Sequence, residues 1–243
     1  MATPAVRTRP ESLRTGSLLA GVGGFLDAYT FVGYGGVFAN AQTGNIVLLG
    51  VDGQAGHWRE AALHVPPVVA FMLGVAFAQA VAQPAVRKVV RRPTRWVLVA
   101  EIVVLAAVGA RPGWVPAQVV PGLIAFAAAV QVSTFRSLDG FEYSSTLTTS
   151  NLRTLIAKLY QWRARHDAAA RHEAALLAWI VAAFAVGAGV GGLCTRLVHQ
   201  QAAWIAAAVL MLVLIAIVVE TSRLDRRKGA AGESPRPGFQ NDT

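Results

Sequence analysis

Residues 17–38, 63–83, 96–110, 115–135, 174–198 and 203–220 form six long apolar runs, and their length limits what the chain can become. A helix rises about 1.5 Å per residue and a bilayer core is about 30 Å thick, so about 20 apolar residues make one crossing. The runs are continuous and do not alternate every second residue, which argues against the strands of a transmembrane barrel. An all-α polytopic membrane protein with six transmembrane helices is therefore expected. Composition agrees, with 54% hydrophobic and 14% charged residues against about 25% charged in an ordinary soluble domain.

The formal net charge is +9, which in a soluble chain would point to nucleic acid. Here Lys and Arg sit in the gaps between apolar runs without interleaved stacking aromatics. No nucleic-acid partner is expected, and topology explains the charge. With the N-terminus inside, 19 of the 22 basic residues fall on the cytoplasmic side, leaving Arg59, Arg111 and Arg196 opposite. Both termini are thus expected in the cytoplasm, because basic segments resist translocation. Trp58, Trp96, Trp114 and Trp204 flank the runs, as indoles at membrane interfaces do.

Between runs four and five, residues 152–173 place Leu152, Leu155, Ile156, Leu159 and Trp162 on one helical face, with Arg153, Lys158, Arg163 and Arg165 elsewhere. That pattern fits a helix lying on anionic inner-leaflet lipids, and equally a solvated connector packed on helix ends. Residues 1–12 and the basic tail 221–243 are expected to be disordered, leaving a membrane domain over 13–220. Arg7, Arg9 and Arg14 ahead of an apolar run imitate a cleaved leader, but five further runs favour a retained first helix. The single cysteine, Cys194, excludes an intrachain disulfide and a thiolate metal cluster.

The chain also repeats itself. Thr30-Phe31 recurs as Thr134-Phe135, Gly36 as Gly140, and the same offset sets Asp27 against Gln131 and Gly24 against Ala128. After a two-residue shift, Thr43-Gly44-Asn45-Ile46 matches Thr149-Ser150-Asn151-Leu152, and Ala70-Phe71-x-x-Gly74 later matches Ala183-Phe184-x-x-Gly187. The halves, about 13–112 and 113–220, contain three spans each, so they are expected to enter the membrane from opposite sides. Inverted repeats of secondary transporters place a site near the midplane beside interrupted helices. Interruptions stand in corresponding places: Gly33, Gly35 and Gly36 before a short apolar piece at 43–50, and Gly140 before 145–155. Thr43 and Thr149 fall where N-caps of short helices would lie, and Ser145, Thr146 and Thr148 add hydroxyls. Such N-termini attract anions; the same residues would also serve for turns and close helix contacts alone.

Asp27 is the ionisable group deepest in a run. A carboxyl there costs roughly 2.5 to 3.5 kcal/mol on insertion scales, which marks either a proton-coupling group or one that pins helices by hydrogen bonds. Secondary candidates are Glu101, about 8 Å along the helix from Arg95 and Trp96 and so expected to be interfacial or hydrogen-bonded rather than catalytic; Gln79 and Gln131, expected to bridge helices or line a pathway; and His64, a titratable group without a visible partner. No nucleophile motif, metal-ligand cluster, cofactor signature or phosphate loop is present, so neither catalysis nor a cofactor is expected.

The residues Gly24-Phe25-Leu26-Asp27-Ala28, Phe31, Gly35-Gly36-x-Phe38 and Thr43-Gly44-Asn45 resemble the signature of the YoaK family, a domain-of-unknown-function family of bacterial inner-membrane proteins. Gln131, Arg136, Gly140, Ser145-Thr146-x-x-Thr149 and Phe184-x-x-Gly187 resemble it too, over about residues 13–220. Ser150 departs from the usual glycine. The resemblance implies a multi-pass protein of the bacterial plasma membrane and names no substrate. The leading expectation is a secondary transporter or facilitator of a small solute, with Asp27, Thr43, Gly44, Asn45, Gln131, Thr149, Ser150 and Asn151 along its pathway. The alternative is a membrane scaffold that binds lipid or a partner. Six short spans around a midplane site would suit a homodimer.

Overall fold

The computed structural model describes residues 13–83, 93–135, 137–138, 141–142 and 148–232, with side chains described for 13–83, 94–135 and 148–222. The described chain is helical: α1 (Leu13–Gly33), α2 (Gln42–Gln54), α3 (Trp58–Leu63), α4 (Val65–Val81), α5 (Pro93–Gly109), α6 (Val119–Thr134), α7 (Thr148–Arg165), α8 (Ala168–Val198) and α9 (Ala203–Gly232), with a 3₁₀ turn at His199–Ala202. A two-residue antiparallel ladder, β1 (Ser137–Leu138) with β2 (Phe141–Glu142), leaves the all-α class unchanged.

Local chemistry sets the helix ends. Helix α1 stops at Gly33, five residues short of the apolar run, because Gly35 and Gly36 take φ of +82° and +77° and the Gly36 N–H turns back to the Phe31 carbonyl at 3.0 Å. Helix α4 begins with Pro66 in its first turn, where the missing N–H has no intrahelical partner to lose. The expected amphipathic segment 152–173 is broken at His166, which has φ of +54°. Asp167 then caps α8, its Oδ1 accepting from Ala169 and Ala170 N–H at 2.9 and 3.2 Å. Helix α9 runs past Glu220 to Gly232, so residues 221–232 are helical where a disordered tail was expected.

Helix α1 is buried on nearly every face, from Thr15 to Thr30. It packs against α8 and α9; α4 packs against α6, α5 lies against both α6 and α9, and α2 and α7 lie against α4 and α8 respectively. The main core joins Leu19, Leu26 and Tyr29 of α1 to Leu98 and Leu105 of α5, Ile124 of α6 and Leu210 of α9. The two tightest crossings have no room for side chains. A Cβ on Gly24 would fall into the Phe184 carbonyl, one on Gly187 into the Gly21 backbone, and one on Gly74 into the Phe126 carbonyl. The repeated Ala-Phe-x-x-Gly motif thus performs one task twice, bringing α8 onto α1 and α4 onto α6.

Two stretches are long and apolar enough to cross a bilayer: Trp58–Val81, with mean hydropathy 1.9, and Ala168–Ser222, with mean hydropathy 3.0. The second is divided by the backbone turn at His199, where φ is +50°, into α8 and α9. Helix α6, with 16 residues, measures only roughly 24 Å. Outward faces are strongly apolar, with Met72, Leu73, Phe77, Val186, Leu197 and Leu212 all more than half exposed. A surface of that kind belongs in lipid or against another apolar partner.

Replacing Gly187 by Leu is expected to force α8 off α1 and lower stability by about 3 kcal/mol or more. Gly50→Ala, whose new methyl meets nothing within 4 Å, is expected to be neutral or to stabilise α2 by about 0.5 to 1 kcal/mol. Thermal unfolding in detergent separates the two, and equal melting would refute the close-approach role.

Candidate functional site

The segment between α1 and α2 folds back onto α1. Asn40 N–H donates to Asp27 Oδ1 at 2.6 Å, and Asn40 Nδ2 donates to the Gly23 carbonyl at 3.1 Å. The backbone amides of Ala39 and Ala41 also direct hydrogen bonds toward the Asp27 carboxyl. Ala41, the N-cap of α2, offers no side-chain acceptor; the Asp27 carboxyl accepts from the amides that lead into the helix and so stands beside the positive end of the α2 dipole. Asn45 locks the same segment: its Oδ1 accepts from Phe38 N–H at 2.9 Å, and its Nδ2 donates to the Phe38 carbonyl at 2.8 Å and to Gln42 Oε1 at 2.9 Å. Gly44 leaves space for the Phe38 ring, which stacks on Phe31 with centroids 4.8 Å apart.

This arrangement opens onto a cavity of about 980 Å³. Its wall takes Asp27, Phe31 and Val32 from α1, Phe38, Asn40, Gln42 and Thr43 from the fold-back and α2, Phe71 from α4, Thr148, Thr149 and Ser150 from α7, and Phe184, Ala188, Leu193 and Arg196 from α8. Thr43 is the second residue of α2 and Thr149 the second of α7, so matched positions of the two repeats face one space. Phe71 and Phe184, matched in the other repeated motif, face it too. A mostly apolar wall with a few convergent polar groups is the usual character of a small-molecule site.

Of the residues singled out in the sequence, Asp27, Thr43, Thr149 and Ser150 line the cavity. Thr43 is not an N-cap, because the helix starts one residue earlier with Ala41 as its cap. Asn45 and Asn151 are buried behind the wall, and Gly44 serves the Phe38 ring. Gln131 is buried in α6, its Nε2 without a hydrogen-bond partner. Gln79 is exposed on α4. Glu101 is 2% exposed rather than interfacial, and its Oε2 has no partner: depth along a helix does not reveal which face packs inward. His64 has the partner that the sequence did not reveal, Asp52 Oδ2 at 3.3 Å from Nε2. Gly140, Arg136, Ser145 and Thr146 lie outside the described residues.

Sequence reasoning missed Arg196 and Asn40 as wall residues. Arg196, a topological charge by its place in the sequence, follows Gly189, another wall residue, by seven positions on α8, a spacing of about two helical turns. It also missed a clasp at the far end of α1: Tyr29 Oη bonds Tyr34 Oη at 2.8 Å and the Gln200 carbonyl at 3.0 Å, while Arg111 bonds Gln200 Oε1 at 3.2 Å and the Val115 carbonyl. Among the described residues no group of three or more His, Cys, Asp or Glu side chains assembles.

The family model of DUF1275, described as a protein of unknown function, matches residues 15–216. No curated protein and no solved structure gives a match.

Asn45→Ala is expected to strand the Phe38 amide and carbonyl and to cost about 1 to 3 kcal/mol, whereas Thr43→Ala, at the cavity wall, changes stability by less than about 0.5 kcal/mol. Thermal melts of the purified variants check this; similar losses for both would deny Asn45 its locking role.

Proposed function

The chain belongs to the DUF1275 family of proteins of unknown function, and we propose that it is a multi-pass inner-membrane transporter or facilitator of a small solute, bound where the two repeats meet. The observation that carries this reading is the convergence of Thr43 and Thr149, second residues of two interrupted helices, on one cavity. Helix pairings support an inverted repeat: exchanging α1 with α6, α2 with α7, α4 with α8 and α5 with α9 turns each major contact into another that exists, α1–α8 into α6–α4 and α1–α9 into α6–α5. Six crossings (α1, α4, α5, α6, α8 and α9) with both termini in the cytoplasm follow from the apolar runs and the basic-residue bias. The YoaK resemblance fits such a protein and adds no substrate.

On this reading α2 and α7 start near the midplane and run in opposite directions, their N-termini beside the solute, the arrangement that discontinuous helices give in secondary transporters. Asp27 couples the site to protons. An ionised carboxyl accepts from the Asn40 amide and its neighbours; adding a proton removes acceptor capacity, frees the fold-back and alters the wall that Phe38, Asn40 and Thr43 build.

Single-cysteine proteins, Thr43→Cys or Thr149→Cys in a Cys194→Ser background, test access without knowledge of the solute. Each thiol is expected to react with an impermeant maleimide applied from either face of the membrane. Reaction from one face only would favour a scaffold that binds lipid or a partner through α7, whose Ile156 and Tyr160 are 62% and 74% exposed. In proteoliposomes, Asp27→Asn is expected to keep uptake while flattening its pH dependence. Unchanged pH dependence would remove the coupling role.

A further inference from the structure

Helix α7 carries two parallel stripes. Asn151, Leu155, Lys158 and Trp162 recur at helical spacing and form the packed one. Asn151 is buried, and Leu155 joins the cluster of Leu176, Leu177 and Ile180 on α8. Lys158 Nζ pairs with Glu173 Oε2 at 2.6 Å, and the Arg171 guanidinium lies 5.6 Å from the centre of the Trp162 ring. One residue further on at every step stand Leu152, Ile156, Leu159 and Arg163, a second stripe about 100° around the helix. Its three apolar members are exposed, and Arg163 continues their line at the end of the helix.

Length and charge say what fits this stripe. Leu152 and Arg163 are eleven residues apart, roughly 16 Å along the axis, which is the depth of one leaflet of a hydrocarbon core about 30 Å thick. Tyr160 and Trp162 stand beside Arg163 at the end where aromatic side chains mark a membrane interface. Lys158, on the packed stripe, has its charge matched by Glu173, whereas Arg163 has no carboxylate partner. Arg171, held over Trp162, brings a second guanidinium to the same corner. Topology explains why basic residues gather on this side of the chain. It does not place one of them in line with an exposed apolar stripe of leaflet length, and a solvated connector needs no such stripe.

Resting on the membrane placement proposed above, in which α7 descends from near the midplane toward the cytoplasm, we infer that α7 seats an anionic phospholipid of the inner leaflet. Its phosphate lies on Arg163 with Arg171 alongside, and an acyl chain runs along Leu159, Ile156 and Leu152. A guanidinium meets a phosphate through parallel hydrogen bonds. The headgroup supplies to Arg163 the counter-charge that Glu173 supplies to Lys158.

Purified full-length protein in detergent is titrated with phosphatidylglycerol, phosphatidylcholine and glycerol 3-phosphate, and binding is read by native mass spectrometry and thermal shift. Phosphatidylglycerol is expected to bind at least about fivefold more tightly than phosphatidylcholine, and glycerol 3-phosphate, a headgroup without a chain, to shift nothing. Arg163→Gln is expected to erase most of that preference, and Arg153→Gln, which lies off the stripe, to keep it. Equal binding of the two lipids, the result for a patch that serves an acidic protein, overturns the assignment. Equal losses in the two variants reduce the effect to diffuse charge and overturn it as well, and tight binding of glycerol 3-phosphate gives the corner to a soluble phosphate.

Depth is measured separately, with spin labels on Leu152→Cys and Leu159→Cys in a Cys194→Ser background. The first label is expected to lie deeper, by up to roughly 10 Å for seven residues of helix. Equal depths lay α7 flat on the leaflet, which removes the placement and the inference with it. A depth gradient without an Arg163 effect keeps the placement and removes only the lipid site.

Discussion

Backbone N–H groups in a buried connection between helices cost free energy unless an acceptor meets them, and the Asp27 carboxyl meets the Asn40 amide and its neighbours. The site around it depends on that bond. With Asp27 seated, the fold-back lies against the middle of α1, α2 starts where it does, and Phe38, Asn40 and Thr43 come to the cavity wall. Asn45 closes the same segment from the other side through both backbone groups of Phe38. The one carboxyl buried in α1 therefore has a structural task before any chemical one, and the proposed proton coupling consists in interrupting that task.

Close backbone contact is the other constraint on the site. Helices that cross with a glycine against a carbonyl pack at short range and gain dispersion and weak Cα–H···O contacts. Gly24 and Gly187 do this where α1 meets α8, and Gly74 where α4 meets α6. Since Phe184 and Phe71 each stand three residues before these glycines, the crossings also set how far the two rings stand apart. Packing and cavity shape are thus fixed by the same motif.

Much of the helical order could be read from the sequence, because a run of some twenty apolar residues has few physical outcomes and a Gly-Gly pair inside one forces a break. The pairing of Thr43 with Thr149 was legible as well, since both follow a break and share their neighbours. The sequence did not disclose how faces point. Glu101 looked interfacial by depth alone, yet packing of α5 against α6 and α9 buries it. The His64–Asp52 contact joins residues twelve apart across a turn whose geometry no periodicity encodes. Arg196 was counted as a topological charge, and only the crossing of α8 over α1 brings it to the cavity.

The helices differ greatly in length. Helix α6 has 16 residues and α5 has 17, while α8 has 31, so rods of roughly 25 Å and 46 Å stand in one bundle. If these rods span a membrane as proposed, lipid beside the short pair must compress its chains, and lipid beside the long one must thicken or let the helix lean. Each ångström of misfit costs only a fraction of a kcal/mol, but the cost depends on acyl-chain length. The protein would then sort toward thin bilayers, and the thickness of its surroundings would bias how upright α8 stands against α1.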